Sequence, residues 1–188
     1  MVRIVPISIG MIVLLMVMSP VLASSNGPTV KILGNDSSRI NERVLSTYHF
    51  GPGRIHVMPG GMLTFTNIGT CSVPADCTHT ISIVDDSQLP VNVTQVFACL
   101  FDFPGTVCGV ISSAHFPQGP TGPVNPVANV TGEPSGFRGG NSFLINHGQT
   151  LDIGITAPTG TTIHYMCAIH PWMQGAIIVG QDATNTGE

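Results

Sequence analysis

Residues 164–175 read H-Y-M-C-A-I-H-P-W-M-Q-G, which places Cys167, His170 and Met173 within seven residues of one another. A fourth residue of the same chemistry, His79, lies far upstream in C-T-H-T-I-S-I-V, residues 77–84. One thiolate, two imidazoles and a thioether are the donors that hold a single copper ion in a trigonal site with a weak axial Met. Cu(I) favours soft sulfur and low coordination, whereas Cu(II) favours a tetragonal field of nitrogen and oxygen. A site between the two moves little when an electron arrives or leaves, so this donor set points to electron transfer. Zinc has scant affinity for a thioether, and the paired C-x-x-C ligands of a Cys/His zinc site are absent. The bland alternative makes Met173 core filler and Cys167 an inert buried thiol. Cys, His and Met at three-residue steps, together with a distant His on a strand-like segment, outweigh it.

Around this motif the chain breaks into strand-sized segments separated by Gly, Pro and Asn. Strands are expected near Thr29–Leu33, Arg43–Tyr48, Arg54–Val57, Met62–Asn67, Thr78–Val84, Ser142–Ile145, Thr150–Thr156, Thr161–Met166 and Ala176–Val179. No long amphipathic helix is expected. Met58-Pro59-Gly60-Gly61 and Ala157-Pro158-Thr159-Gly160 carry turn chemistry, the second returning the chain to the strand that ends at Cys167. Such a pattern predicts an all-β fold, an antiparallel two-sheet sandwich with Greek-key connections. Side chains alternate along a strand, so Ile163 and Tyr165 share a face with Cys167 while His164 and Met166 point the other way. His164 is therefore not expected as a ligand, and His49, His56, His115 and His147 read as surface or turn histidines.

The spacing C-x-x-H-x-x-M, with Pro171 after the His and Gly175 two places beyond the Met, resembles the cupredoxins, the small blue copper proteins. It looks most like the amicyanin branch, since plastocyanin and pseudoazurin have two more residues between His and Met. Upstream, Y-H-F-G-P-G-R-I-H-V-M-P-G-G-M-L-T-F-T-N, residues 48–67, is similar to the family's first hairpin, which ends in Asn before the ligand His. The resemblance covers about Val30 to Gly180 with one large interruption. It implies a cupredoxin-like β-sandwich holding one type 1 copper on His79, Cys167, His170 and Met173. It also implies that His170 is the electron port, inside an apolar patch to which Pro171 and Trp172 contribute and where redox protein partners dock. In related sites backbone N–H groups donate to the cysteine sulfur and raise the potential. Amicyanin and plastocyanin have Pro two places after the Cys, and this chain has Ile169 there. A second N–H bond to sulfur is therefore expected from Ile169, beside one from Thr80. Thr80 itself stands where the family commonly has Asn, which leaves open the side-chain clamp between the two ligand loops.

The function so implied is a soluble electron carrier outside the cytoplasm, a monomer and not an enzyme. A copper-binding or delivery protein is the runner-up, although four of the eight Met lie in the leader and the others form no cluster. A single-domain copper enzyme needs an open coordination position, and Met173 occupies it.

Composition agrees. The 188 residues are 43% hydrophobic with 22 Gly and 15 Pro, which suits one domain of short strands and many turns. Only 9% are charged and the formal net charge is −4, so nothing favours a polyanion, and nucleic acid is not an expected partner. Arg3 followed by an apolar run from Ile4 to Leu22 and by Val21-Leu22-Ala23 reads as a signal peptide over residues 1–23, cut before Ser24. Export to the periplasm, the extracellular space or the outer face of the cell membrane is expected. An uncleaved N-terminal anchor is the alternative, and only then is a membrane involved.

Five cysteines fit export: four pair and the fifth, Cys167, stays a free thiolate. Cys71 with Cys77 and Cys99 with Cys108 is the most local of the three pairings, each small ring contributing roughly 2–3 kcal/mol through loop entropy. Residues 24–188 are then one domain with an insertion at about 86–141, because the 87 residues between His79 and Cys167 exceed what a compact sandwich needs. Its stretch P-Q-G-P-T-G-P-V-N-P excludes regular structure. Asn35, Asn92 and Asn129 sit in glycan-acceptor triplets. A loop-rich surface excursion is expected here, since long loops add little closure cost; a lobe that covers the site or binds a partner is the alternative.

Overall fold

Alternation of apolar residues dictates a sandwich of two sheets, seen in a computed structural model that describes residues 27–71, 77–101, 105–119, 121–130 and 135–180. The expected leader lies outside the described residues. In chain order the strands are β1 (Thr29–Leu33), β2 (Asp36–Arg39), β3 (Arg43–Ser46), β4 (His49–Gly51), β5 (Arg54–Val57), β6 (Met62–Asn67), β7 (His79–Val84), β8 (Val127–Ala128), β9 (Ser142–Ile145), β10 (Thr150–Gly154), β11 (Thr162–Met166) and β12 (Gln174–Val179). One sheet has the order β10-β6-β1-β4 and the other β5-β12-β11-β7-β9-β8, while β2 and β3 form a separate two-stranded ribbon. Among the described residues no helix is long and apolar enough to cross a membrane.

Period-two burial builds the core between the sheets. Leu63, Phe65 and Asn67 of β6 point inward while Met62, Thr64 and Thr66 do not, and Ile163 and Tyr165 of β11 meet them from the facing sheet. Phe50, Phe65 and Tyr165 form an edge-on aromatic trio, with ring centroids 4.9 and 5.4 Å from Tyr165 to the two Phe rings. Each such buried side chain stabilises the fold by roughly 1.5–3 kcal/mol. Gly175 lies opposite Tyr165 in the β11–β12 pairing, and a Cβ there would run into the Tyr165 ring and hydroxyl. Gly175→Ala should therefore lower stability by about 1–3 kcal/mol in urea unfolding, because that ring sits in the aromatic trio and has nowhere to retreat.

Three expectations about the strands change. The sandwich is not wholly antiparallel, since β1 runs parallel to β6 and β12 parallel to β5. The segment from Tyr48 to Asn67 is also no hairpin. β4 and β6 belong to one sheet and β5 to the other, so Pro52-Gly53 and the Met58–Gly61 turn carry the chain across the sandwich. The expected strand Arg43–Tyr48 likewise divides, its first part entering the β2–β3 ribbon.

The insertion holds more structure than a loop. Helix α1 (Val93–Leu100) is capped by the Asn92 side chain, which accepts from Gln95 N, and α2 (Val107–His115) by Thr106, which accepts from Gly109 N. A disulfide between Cys99 and Cys108 joins the two helices. Val107, Cys108, Ile111 and His115 share the buried face of α2. Val107, Cys108 and Ile111 pack with Cys99, Ala128 and Val130 on Val84, Met166 and Ala168, the outward-pointing side chains of the second sheet and its edge. All six residues of β7 are consequently buried, one face in the sandwich and the other under this helical layer. Residues 117–126 contain no helix or strand among those described, as their prolines and glycines require.

Candidate metal centre

The site forms at one end of the sandwich, where β7 begins and β11 stops. His79 is the first residue of β7, held in register opposite Ile145. Its approach is fixed by the Cys71–Cys77 disulfide and by Asn67, a buried side chain whose Nδ2 donates to Cys77 O at 2.8 Å and whose Oδ1 accepts from Gly69 N at 3.2 Å. Cys167 follows the last residue of β11, and the loop it opens is closed by two backbone bonds. Cys167 N donates to Met173 O at 3.0 Å and Met173 N to His170 O at 2.8 Å. Gln174 braces the loop from below, its Nε2 donating to Pro171 O at 3.0 Å and Pro90 O at 2.8 Å.

These elements bring His79, Cys167 and His170 together with ligand atoms all within 4.8 Å of one another, every one of them buried. Cys167 Sγ lies 3.7 Å from Nδ1 of His79 and 3.7 Å from Nδ1 of His170. Metal–sulfur and metal–nitrogen bonds of about 2.3 and 2.0 Å would subtend about 120° across such a separation, the angle of a trigonal plane. Both sulfur–nitrogen separations therefore suit bonds to one first-row metal ion. Met173, 1% exposed, packs in the same core cluster as Cys167. Cys71, Cys77 and His147 also lie close together, but those two sulfurs are spent in the disulfide.

Electrostatics favour neutral imidazoles and demand help for the thiolate. Burial, and then the neighbouring His170, hold His79 down to about 3. Burial also lowers His170, against which the Asp36 carboxylate acts from 3.9 Å off Nε2. Both nitrogens are thus free to accept a metal at neutral pH. Burial pushes the Cys167 thiol up, and the Thr80 backbone, the His170 and Ile169 backbones and the Thr80 hydroxyl pull it back. Thr80 N donates to Sγ at 3.3 Å. The clamp left open by the Asn-to-Thr difference is present, because Thr80 Oγ1 accepts from Ala168 N at 2.7 Å and so ties the two ligand loops. Ile169→Pro removes one N–H that faces sulfur. Given about 1 kcal/mol for such a bond, the reduction potential should fall by about 40 mV for a one-electron couple, as read by redox titration.

Around the donors, Trp172 sets its ring edge-on to His170 at 5.4 Å and is 37% exposed, whereas Pro171 is buried. His170 itself is 7% exposed. His164 points away and lies 3.6 Å from Asp86, so it does not join the site.

Three residues were not legible as parts of this region. Tyr48, fully enclosed, stands edge-on to His79 at 4.7 Å and tilted against His170 at 5.0 Å, while its hydroxyl donates to Thr70 O. No sequence signal separates it from any other strand-end aromatic. Asp36 reaches His170 only because the β2–β3 ribbon folds over this end. His115, expected at the surface or in a turn, is wholly buried at the end of α2. The helix that carries it falls short of the length at which periodicity is decisive, although residues 107, 108, 111 and 115 do keep it.

No protein-family model and no curated protein matches the chain. Solved structures do. A purple cupredoxin from Nitrosopumilus maritimus aligns at 16% identity over 81% of this chain and 99% of its own, with a TM-score of 0.39. Reduced auracyanin from Roseiflexus castenholzii aligns at 19% identity over 85% and 99%, with a TM-score of 0.41. A copper-containing nitrite reductase from Thermus scotoductus SA-01 aligns at 17% identity over 81% of this chain but 23% of its own, with a TM-score of 0.37. At these identities and scores, the reading of the site rests on the chain's own geometry.

Proposed function

We propose that this chain is a cupredoxin-like electron carrier of the extracytoplasmic space, built to hold one type 1 copper on His79, Cys167 and His170 with Met173 in the axial place. The observation that carries this reading is the trio of buried donor atoms with sulfur 3.7 Å from each imidazole nitrogen. Bound there, copper supplies a one-electron Cu(I)/Cu(II) couple. The protein's part is to keep the donors still. The backbone bonds across residues 167–173, the Thr80 clamp and the Tyr48 ring against both imidazoles oppose any change of shape between the two valences. Little reorganisation means a low barrier to electron transfer.

Enclosure favours a carrier of electrons over a carrier of copper. A delivery site must open to hand over its ion, whereas His79 and Cys167 are fully covered here and Met173 nearly so. An enzyme needs room for substrate at the metal, and with Met173 as the axial ligand that position is taken. Electrons would pass through His170, with Trp172 as the exposed member of the surface that a redox protein meets. With so few charges, docking should depend only weakly on salt. The apolar leader and the two disulfides support export.

Voltammetry of the copper-loaded protein, run beside a chelator challenge, tests this function. A reversible one-electron wave and slow surrender of copper are expected. Rapid loss of the ion to the chelator, without a reversible wave, would instead identify a copper carrier.

A further inference from the structure

A continuous file of buried polar groups runs from the helical layer to the copper cysteine. At its far end His115 Nδ1 lies 2.6 Å from Asn125 O. That loop is pinned in turn, since Asn125 N donates to His115 O and Asn125 Nδ2 to Ala114 O, each at 2.9 Å. His115 Nε2 is 2.7 Å from Ser142 Oγ, which is 2.6 Å from Ser82 Oγ, and Ser82 Oγ donates to Thr80 Oγ1 at 3.1 Å. Thr80 ends the file: it accepts from Ala168 N, and its backbone N–H and hydroxyl act on the Cys167 sulfur. His115, Ser142 and Ser82 are 0% exposed and Thr80 1%.

A carbonyl only accepts, so His115 Nδ1 must carry hydrogen. If Ser82 gives its one proton to Thr80, the Ser142–Ser82 contact needs the proton of Ser142. The His115–Ser142 contact then needs a proton on Nε2. The whole file is therefore satisfied only by a doubly protonated imidazole. With Nε2 bare, Ser142 turns to donate to His115 and Ser82 turns to donate to Ser142. Thr80 loses its donor, and the Ser82 oxygen competes with sulfur for the Thr80 hydroxyl hydrogen.

We propose that His115 is a positioning residue for the redox site, whose Nε2 proton sets, through the hydroxyls of Ser142, Ser82 and Thr80, the hydrogen bonding at the Cys167 sulfur. The proposal rests on the electron-carrier reading. Gain of an electron from the redox partner would favour uptake of a proton at His115 Nε2 within the range where that imidazole titrates. The three hydroxyls rotate about their C–O bonds and no proton passes between oxygens. A hydroxyl hydrogen turned onto sulfur withdraws charge from the thiolate and favours Cu(I). The imidazolium charge acts with the same sign. The potential therefore rises as His115 protonates. Burial opposes that charge, the Asn125 carbonyl favours it, and no Asp, Glu, Lys or Arg among the described residues acts on His115 from α2, the Asn125 loop, β8 or β9. Its titration accordingly lies on the acid side of the ordinary imidazole value of 6.5.

The experiment is a redox titration of the copper-loaded full chain from about pH 8 to about pH 5, the range over which an imidazole changes charge. Wild type, His115→Gln, Ser82→Ala and the double variant are compared, with the visible charge-transfer band followed in each. The wild-type potential should climb on acidification more steeply than that of either single variant, and the double variant should match His115→Gln, because once the imidazole is gone cutting the file at Ser82 has nothing further to remove. Single-variant profiles that superimpose on wild type, or two effects that sum in the double variant, would overturn the proposal. Should His115→Gln fail to fold, Ser142→Ala severs the same file and carries the same expectation. A wild type with no visible band at any pH defeats the electron-carrier reading and this proposal with it. A coloured, reversible wild type with superimposed profiles defeats this proposal alone.

Discussion

Cys167→Ser, loaded with copper, will be colourless in the visible region and will show no reversible couple. Type 1 colour is charge transfer from a thiolate, and a serine hydroxyl neither ionises at accessible pH nor lends sulfur electron density to the metal. Replacing even an outer-shell partner of a metal site costs about 10–100-fold in affinity, so loss of this buried central donor should weaken copper binding by more than about 100-fold. The fold should survive. Ser is nearly isosteric with Cys, and the N–H of Thr80, 3.3 Å from Sγ, still finds an acceptor in the hydroxyl. Circular dichroism and thermal unfolding that match wild-type apoprotein, alongside a lost band, are the expected pair of results. A variant that keeps the band would show that Cys167 is not the chromophoric ligand.

The metal-free protein should lose stability steeply on acidification, starting near pH 6.5. Folding holds His79 down to about 3, and it lowers His115 and His170 as well, in each case chiefly by burial. An unfolded chain takes up a proton at each of these groups near 6.5. Between that value and the folded pKa the unfolded state thus binds more protons, so unfolding becomes easier as pH falls. Each such histidine contributes a slope of about 1.4 kcal/mol per pH unit, and His79 alone, across its whole window, about 5 kcal/mol as an upper bound. Urea midpoints of the apoprotein, taken at half-unit steps, check the sign. Copper should flatten the curve because coordination reserves the His79 and His170 nitrogens. An apoprotein equally stable at pH 7 and pH 4.5 would contradict the burial of these imidazoles.

Much of this site was legible in residues 164–175, for a physical reason. Metal ligation would impose residue type and spacing together, so Cys167, His170 and Met173 stand out at three-residue steps on one loop, and the fold brings Cys167 and His170 together with His79. Period two along β11 correctly separated His164 from Cys167. The two disulfides followed from cysteine arithmetic because the rings are short and the fifth cysteine was claimed by the motif. What remained hidden is non-local. Parallel pairing of β1 with β6 leaves no trace in either strand, since alternation looks the same in both directions. Thr80, Ser82 and Val84 of β7 are buried along with the rest of the strand, and nothing in their alternation announces a second covering layer. Only the helical layer, tied by Cys99–Cys108, turns those hydroxyls into a buried file with His115. α1 and α2 were missed because Val93–Leu100 and Val107–His115 span about two turns each, too few for amphipathic periodicity to stand out from a loop.

X-ray absorption of the copper-loaded protein, recorded oxidised and reduced, tests the central claim most directly. A single first shell of two nitrogens and one short sulfur is predicted, with distances that barely change between the two states. A Cu(II) shell of nitrogen and oxygen alone, or a coordination number that changes on reduction, would contradict it.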